Sequence, residues 1–235
     1  MLLAIDVGNT QTVIGVYDGE NLVHMWRLGT IKTNTADELR LKALSLLKAE
    51  DIPEEGVHGS ALASVVPALT DAWVDALEQM LGEVPLVCSA ETAGSLFKTD
   101  YPNPSEIGAD RIADAVAVKS RYGAPVVVVD FGTATNIEVI DKNGVFIGGI
   151  IAPGGQTSAS ALFSHAIQVG IVRGEVARVD GLVSGIFKQL GYTAPVVATG
   201  GLAVRVAKAS STITDTNSQL TLEGLRLIFE SATAK

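Results

Sequence analysis

The chain has 235 residues, 47% of them hydrophobic and 18% charged, with a formal net charge of −9. That is enough apolar chain for a sizeable core, or for two small domains sharing an interface, and it excludes a disordered or low-complexity protein. The acidic balance opposes nucleic-acid binding, the single cysteine (Cys88) cannot close an intrachain disulfide, and no apolar run reaches the roughly 18 residues of a membrane span. A reducing cytoplasm is the expected setting, and Met1–Ile5, running straight into Asp6 without a basic stretch, does not read as a signal peptide.

In chain order, Leu2–Asp6 reads as a buried strand ending in an aspartate. Gly8-Asn9-Thr10, a second strand over Thr12–Tyr17 and the turn Asp18-Gly19 follow. Thr35-Ala36-Asp37-Glu38 is a capping box, and Leu39, Ala43, Leu46 and Leu47 recur at helical spacing over Ala36–Ala49. Short strands are expected at Ser60–Val66 and Pro85–Cys88. Between them Thr70 is expected to cap a helix carrying Trp73, Leu77, Met80 and Leu81, closed by Gly82. A loop stiffened by Pro102 and Pro104 enters a helix over Asp110–Tyr122, which stops at Gly123. Val126–Asp130, Gly132, a strand over Asn136–Ile140 and the turn Lys142-Asn143-Gly144 then repeat the opening pattern. The glycines at 148, 149, 154 and 155 flank Ile150–Ala152 and read either as close backbone approaches or as loops. A helix over Glu175–Leu190, a strand over Pro195–Thr199 and a helix capped by Thr221 complete the reading.

The two strand–Asp–x–Gly units keep one spacing, since 130 − 6 and 132 − 8 both give 124. Two such units in the same order imply duplication. The fold expected is therefore two similar α/β halves, residues 1–124 and 125–235, around a cleft.

A carboxylate at a strand end can hold Mg²⁺ beside transferring phosphates, and a glycine lets backbone N–H groups approach phosphate oxygens. Asp6 and Asp130 are placed for this, with Asn9, Thr10 and Thr133 as further donors. No Walker-type Gly-x-x-x-x-Gly-Lys-Ser/Thr loop is present. Gly200-Gly201 suits flat contact with an adenine or an ordinary strand–helix turn. Asp110 sits in the first turn of its helix, where the dipole favours the ionised carboxylate, so it can accept a hydroxyl proton during phosphoryl transfer. Arg111 can pair with a substrate carboxylate. His24, His58 and His165 show no metal-ligand spacing, and Ser158 and Ser160 lack a hydrolase elbow.

Taken together, these segments resemble the type III pantothenate kinases. The motifs are Asp6-Val-Gly-Asn-Thr10, Trp26-Arg27, Thr35–Glu38, Ser64–Pro67, Tyr101-Pro-Asn-Pro104, Gly108–Arg111, Asp130-Phe-Gly-Thr133, Gly148–Gly154 and Thr199–Ala203. The resemblance implies a duplicated actin-like (ribonuclease H-like) fold, a homodimer, and transfer of the ATP γ-phosphate to pantothenate at the opening of coenzyme A synthesis. It assigns ATP contacts to Asp6, Val7, Gly8, Asn9, Thr10, Gln11, Thr12, Val13 and Thr133. It assigns pantothenate contacts to Tyr101, Gly108, Ala109, Asp110 and Arg111, with Asp110 as proton acceptor. It makes Asp130 the ligand of a monovalent cation, K⁺ or NH₄⁺, and leaves Mg²⁺ with ATP, beside Asp6. The same resemblance takes in the Bvg accessory factors, so a non-catalytic regulatory relative is the alternative, with other small-molecule kinases of the superfamily behind it. After Leu162–Ala166 the family carries a longer segment with a Gly-Lys-Asn-Thr stretch, whereas here Ile167-Gln-Val169 passes directly into Gly170. Either those residues are deleted or a stretch is omitted; the second is expected, and with it a break in the chain, with neighbouring Cα atoms farther apart than the roughly 3.8 Å of a trans peptide, whereas a continuous chain would mean a true deletion.

Overall fold

Residues 1–154 and 165–234 are described by the structure, a computed structural model, and each of two units is built on its own five-stranded sheet. Ser158, Ser160, Gly155 and the Leu162–Ser164 stretch lie outside the described residues. The first unit comprises Met1–Phe97, Asn103–Val116 and Thr221–Lys235, and the second Lys98–Pro102 and Ala117–Leu220.

In the first unit, β1 (Leu2–Val7), β2 (Gln11–Asp18) and β3 (Asn21–Gly29) form an antiparallel meander, and β4 (Ser60–Ser64) and β5 (Leu86–Val87) extend β1 in parallel. The order is β3-β2-β1-β4-β5. Successive side chains leave a strand on opposite faces. One face therefore carries Leu3, Ile5, Val7, Ile14 and Val16, which form a core with Leu39, Ala43 and Leu47 of α1 (Ala36–Ala49) and Leu69, Trp73 and Leu77 of α2 (Pro67–Leu81). The capping box at Thr35 and Glu38 is formed at the start of α1.

The second unit repeats the pattern. β6 (Val126–Phe131), β7 (Ala134–Ile140) and β8 (Phe146–Pro153) are antiparallel, β9 (Val196–Gly200) runs parallel to β6, and β10 (Asp215–Thr216) runs parallel to β9, giving β10-β9-β6-β7-β8. α3 (Ala109–Tyr122) precedes this sheet in the chain, and α4 (His165–Leu190) lays Val179 and Val183 on Val127, Val129, Phe131, Ile137 and Val139. A short helix, α5 (Ala203–Ala207), follows β9. Asp6 pairs with Val13 but Asp130 with Asn136, so the second Asp–Gly turn is one residue tighter than the first.

The chain does not break between Gln168 and Gly170, because α4 runs as one helix from His165, ten residues before the expected start at Glu175. No proline interrupts that stretch, so the hydrogen-bonded ladder continues across its glycines. Thr70 lies inside α2, which starts at Pro67, where a fixed φ and an absent N–H suit the first helical position. Its hydroxyl donates to Ser64 Oγ at 2.9 Å. Thr221 lies inside α6 (Leu220–Thr233), and its hydroxyl donates to Asp114 Oδ1 at 2.7 Å. The glycines at 148 and 149 belong to edge strand β8 rather than to a loop, and the long edge strand β3 was not foreseen.

On the second face of the first sheet Ala4 pairs with Gly15. A Cβ on Gly15 would stand 2.7 Å from Leu222 of α6. A Cβ on Gly224 would overlap the backbone carbonyl of Ala113, so α3 and α6 pack with backbone nearly touching helix. Gly224→Ala should lower the thermal unfolding midpoint by roughly 3–10 °C, as overpacking does in a tight contact. An unobstructed helix position would instead gain about 1 kcal/mol. A midpoint at or above that of the unsubstituted chain would contradict this packing.

Candidate active site

In the first unit the Asp–Gly turn joins β1 to β2. The Gly8 N–H donates to the Gln11 carbonyl at 3.0 Å, and a Cβ on Gly8 would stand 3.0 Å from that same oxygen. The segment just beyond the end of β3 braces the turn from the side. Thr30 Oγ1 donates to the Gly8 carbonyl at 2.7 Å and shares a 2.9 Å bond with the buried Thr12 hydroxyl. The Thr30 N–H donates to the Thr10 carbonyl at 2.9 Å, and Lys32 Nζ donates to Asn9 Oδ1 at 3.1 Å. Asn9, Thr10 and Gln11 are left exposed at the tip of a turn whose shape is fixed. Thr30 and Lys32 carry no motif, and only the pairing of β2 with β3 brings them to this turn.

Asp110 enters from the first turn of α3 in the same unit. Its Oδ1 accepts the Arg111 N–H at 2.8 Å, folding the carboxylate back on the helix N-terminus. A Cβ on Gly108 would stand 2.5 Å from that oxygen, so a glycine there leaves the carboxylate its place. Burial pushes the Asp110 pKa above the ordinary carboxylate range, while the Arg111 N–H and the Arg111 charge pull it down. The Cys88 thiol donates to the Ala109 carbonyl at 3.4 Å. Its pKa is pushed up to about 12, by burial first and then by the carboxylates of Asp110, Asp6 and Asp114. Asp6 and Asp110 are thus brought within electrostatic reach of one buried thiol.

In the second unit, Asp130 stands at the end of β6 opposite Asn136 and beside the buried Thr199. A Cβ on Gly200, whose φ is +85°, would stand 2.5 Å from Asp130 Oδ1 and 2.6 Å from the Phe131 carbonyl. A carboxylate oxygen and a carbonyl oxygen therefore converge on the side of Gly200 where a side chain would stand, and oxygens of these two kinds suit a hard cation. The tight turn is closed by Gly132 N–H donating to the Ala134 carbonyl at 2.9 Å and Gly154 N–H donating to the Thr133 carbonyl at 3.1 Å. Thr133 itself is exposed. Tyr101 belongs to this unit rather than to that of Gly108–Arg111; it is 45% exposed, and its N–H donates to Thr99 Oγ1 at 3.0 Å. Among the described residues no three His, Cys, Asp or Glu side chains gather into a metal-holding group. Mg²⁺ beside a nucleotide takes one or two carboxylates plus phosphate oxygens, and the Asp6 carboxylate near the end of β1 fits that use.

The sequence pattern of the type III pantothenate kinases matches residues 2–186. A type III pantothenate kinase of Desulforapulum autotrophicum is 40% identical over 251 positions, covering 97% of this chain and 96% of the relative. One from Syntrophus aciditrophicus is 39% identical over 254 positions, covering 98% and 99%. Both alignments exceed the 235 residues of this chain, so the relatives hold residues with no counterpart in it. Among solved structures, the polyphosphate/ATP-glucomannokinase of Arthrobacter sp. strain KM (TM-score 0.52, 16% identity, 99% and 98% of the chains covered) shares the fold. So does the ROK hexokinase of Thermus thermophilus (TM-score 0.52, 14% identity, 100% and 99% covered). The fold is accordingly the duplicated actin-like one, and the chain belongs to the type III pantothenate kinase family.

Proposed function

We propose that this chain transfers the γ-phosphoryl group of ATP to pantothenate, giving 4′-phosphopantothenate at the first step of coenzyme A synthesis. The observation that carries this reading is the family match through both units, at 40% identity over 97% of the chain. The residue roles are those that the family resemblance implies, and the local geometry is compatible with them. The pantothenate hydroxyl oxygen attacks the γ-phosphorus, the bond to the ADP oxygen breaks, and the hydroxyl proton passes to the Asp110 carboxylate. Phosphoryl transfer has a loose transition state, so positioning and charge stabilisation matter more than base strength. The Asp6–Val13 turn and Thr133 cradle the phosphates, Gly108–Arg111 and Tyr101 hold pantothenate, and Arg111 faces its carboxylate. Mg²⁺, held by ATP beside Asp6, neutralises charge on the phosphate oxygens when bound, and Asp130 holds the monovalent cation.

We also read residues 1–124 and 125–235 as the two descendants of one duplicated unit. The enzyme acts as a homodimer in the cytoplasm without binding nucleic acid or membrane. The net charge of −9 supports the exclusion of nucleic acid. Ile147 and Ile151, 40% and 65% exposed on edge strand β8, form the kind of apolar edge that a second copy covers.

Asp110→Asn, nearly isosteric, should lower kcat by on the order of 10²–10⁴ with folding retained. Because the Asp110 pKa is raised, its ionised form is lost as pH falls through a value above the usual carboxylate range. The acid limb of the kcat/KM profile should therefore lie at higher pH than an ordinary aspartate would give, and the Asn variant should lack it. Near wild-type turnover in that variant would remove Asp110 from the mechanism. For the cation, rates at constant ionic strength should rise with K⁺ or NH₄⁺ over Na⁺, and Asp130→Asn should abolish the difference. Equal rates in Na⁺ and K⁺ would count against Asp130 as the ligand.

A further inference from the structure

On α4, Glu175 and Arg178 stand one turn apart and look like an ordinary surface pair, yet Glu175 is only 5% exposed and both reach into the second sheet. Arg178 Nη1 donates to the Pro153 carbonyl at 2.7 Å, at the end of β8. Its Nη2 donates to the Thr135 hydroxyl at 2.9 Å and to both Glu175 carboxylate oxygens at 2.6 Å. Thr135, 1% exposed, donates in turn to Glu175 Oε2 at 3.4 Å.

Both anchor points border the tight turn of Gly132 and Thr133. Thr135 is the second residue beyond Thr133 and pairs with Phe131, while Pro153 pairs with Ala134 and precedes Gly154, whose N–H holds the Thr133 carbonyl. A Cβ on Gly154 would overlap that carbonyl, so a small shift of the β8 end is transmitted directly to Thr133. Thr135 has the parity of Ile137 and Val139, which face α4, and Asp130 has the opposite parity. The guanidinium thus grips the turn from the face away from the carboxylate.

The internal repeat gives this arrangement a counterpart. Thr12 pairs with Val7 as Thr135 pairs with Phe131, and both threonines are buried. Thr12 is bonded to Thr30, which holds the Gly8 carbonyl of the first turn. One turn is steadied by two hydroxyls, the other by a fork that ties two strand ends together.

We propose that Glu175 and Arg178 are positioning residues for nucleotide binding: they hold the Gly132–Thr133 turn in the conformation that receives ATP phosphates. The proposal rests on Thr133 being an ATP contact. Glu175 keeps the guanidinium oriented, and the planar fork lets one side chain fasten Pro153 and Thr135 together, which a lysine cannot do.

The test is the dissociation constant of Mg–ATP, measured by calorimetry in K⁺ buffer without pantothenate, alongside thermal unfolding. Arg178→Lys keeps a cation for the buried Glu175 but loses the fork. It should weaken Mg–ATP binding on the order of tenfold, as small misplacements of a binding group do, with the unfolding midpoint little changed. Arg178→Leu should weaken it at least as much, and where that variant fails to fold, Arg178→Lys decides. If the pair acts through Thr133, Arg178→Lys should add no further loss in a Thr133→Ala background. Wild-type binding in Arg178→Lys, or losses that multiply in the double variant, would overturn the proposal. Weakened binding in Thr133→Ala with none in Arg178→Lys would leave the ATP reading standing and remove only the brace. Unchanged binding in Thr133→Ala would remove the ATP reading, and with it the role given to the pair.

Discussion

The carboxylates of this protein stand where a side chain on the neighbouring backbone would have to be. Asp110 occupies space that a Cβ on Gly108 would contest at 2.5 Å, and Asp130 is in the same position toward Gly200. The rest of the site depends on that constraint. A carboxylate so close to bare backbone has its rotamer limited by the main chain. Burial then acts on the charge: for Asp110 it raises the pKa, while the backbone N–H groups of Arg111 and Asp110 and the Arg111 charge pull it down.

The same sheet design serves both units. Each central strand turns an apolar face to long helices, Leu3, Ile5 and Val7 in β1 and Val127, Val129 and Phe131 in β6, and leaves its aspartate with the opposite parity. The apolar face anchors the strand, so the turn at its end is built on a rigid support. The repeat is not an exact copy. The second turn is one residue tighter, and its bracing comes from a charged pair on a helix instead of the Thr12 and Thr30 hydroxyls.

Much of this was legible in the sequence because it is local. The strand–Asp–x–Gly units, the Thr35 capping box and the helix stops at Gly82, Gly123 and Gly191 each follow from a few adjacent residues, and all three stop glycines adopt positive φ. What escaped depends on distant partners. Strand β3 has a burial pattern without clean alternation, and β8 contains two adjacent glycines, so neither announces itself as an edge strand. Thr70 and Thr221 resemble caps by residue type, but Pro67 and Leu220 start their helices earlier and the hydroxyls find other acceptors. Glu175 and Arg178 have the spacing of a common surface pair. Only the placement of α4 against Thr135 and Pro153 shows what they hold. The continuity of α4 through Val169 and Gly170 likewise depends on backbone bonding that the family resemblance did not predict.

The most direct test of the account is to identify the product. The purified chain, given ATP, Mg²⁺, K⁺ and pantothenate, should form ADP and a phosphomonoester on the pantothenate primary hydroxyl in equal amounts, followed by ³¹P and ¹H NMR. ADP formation should stop when pantothenate is left out. Release of inorganic phosphate without that ester, or no turnover by a folded chain that still binds Mg–ATP, would contradict the assignment of a pantothenate kinase.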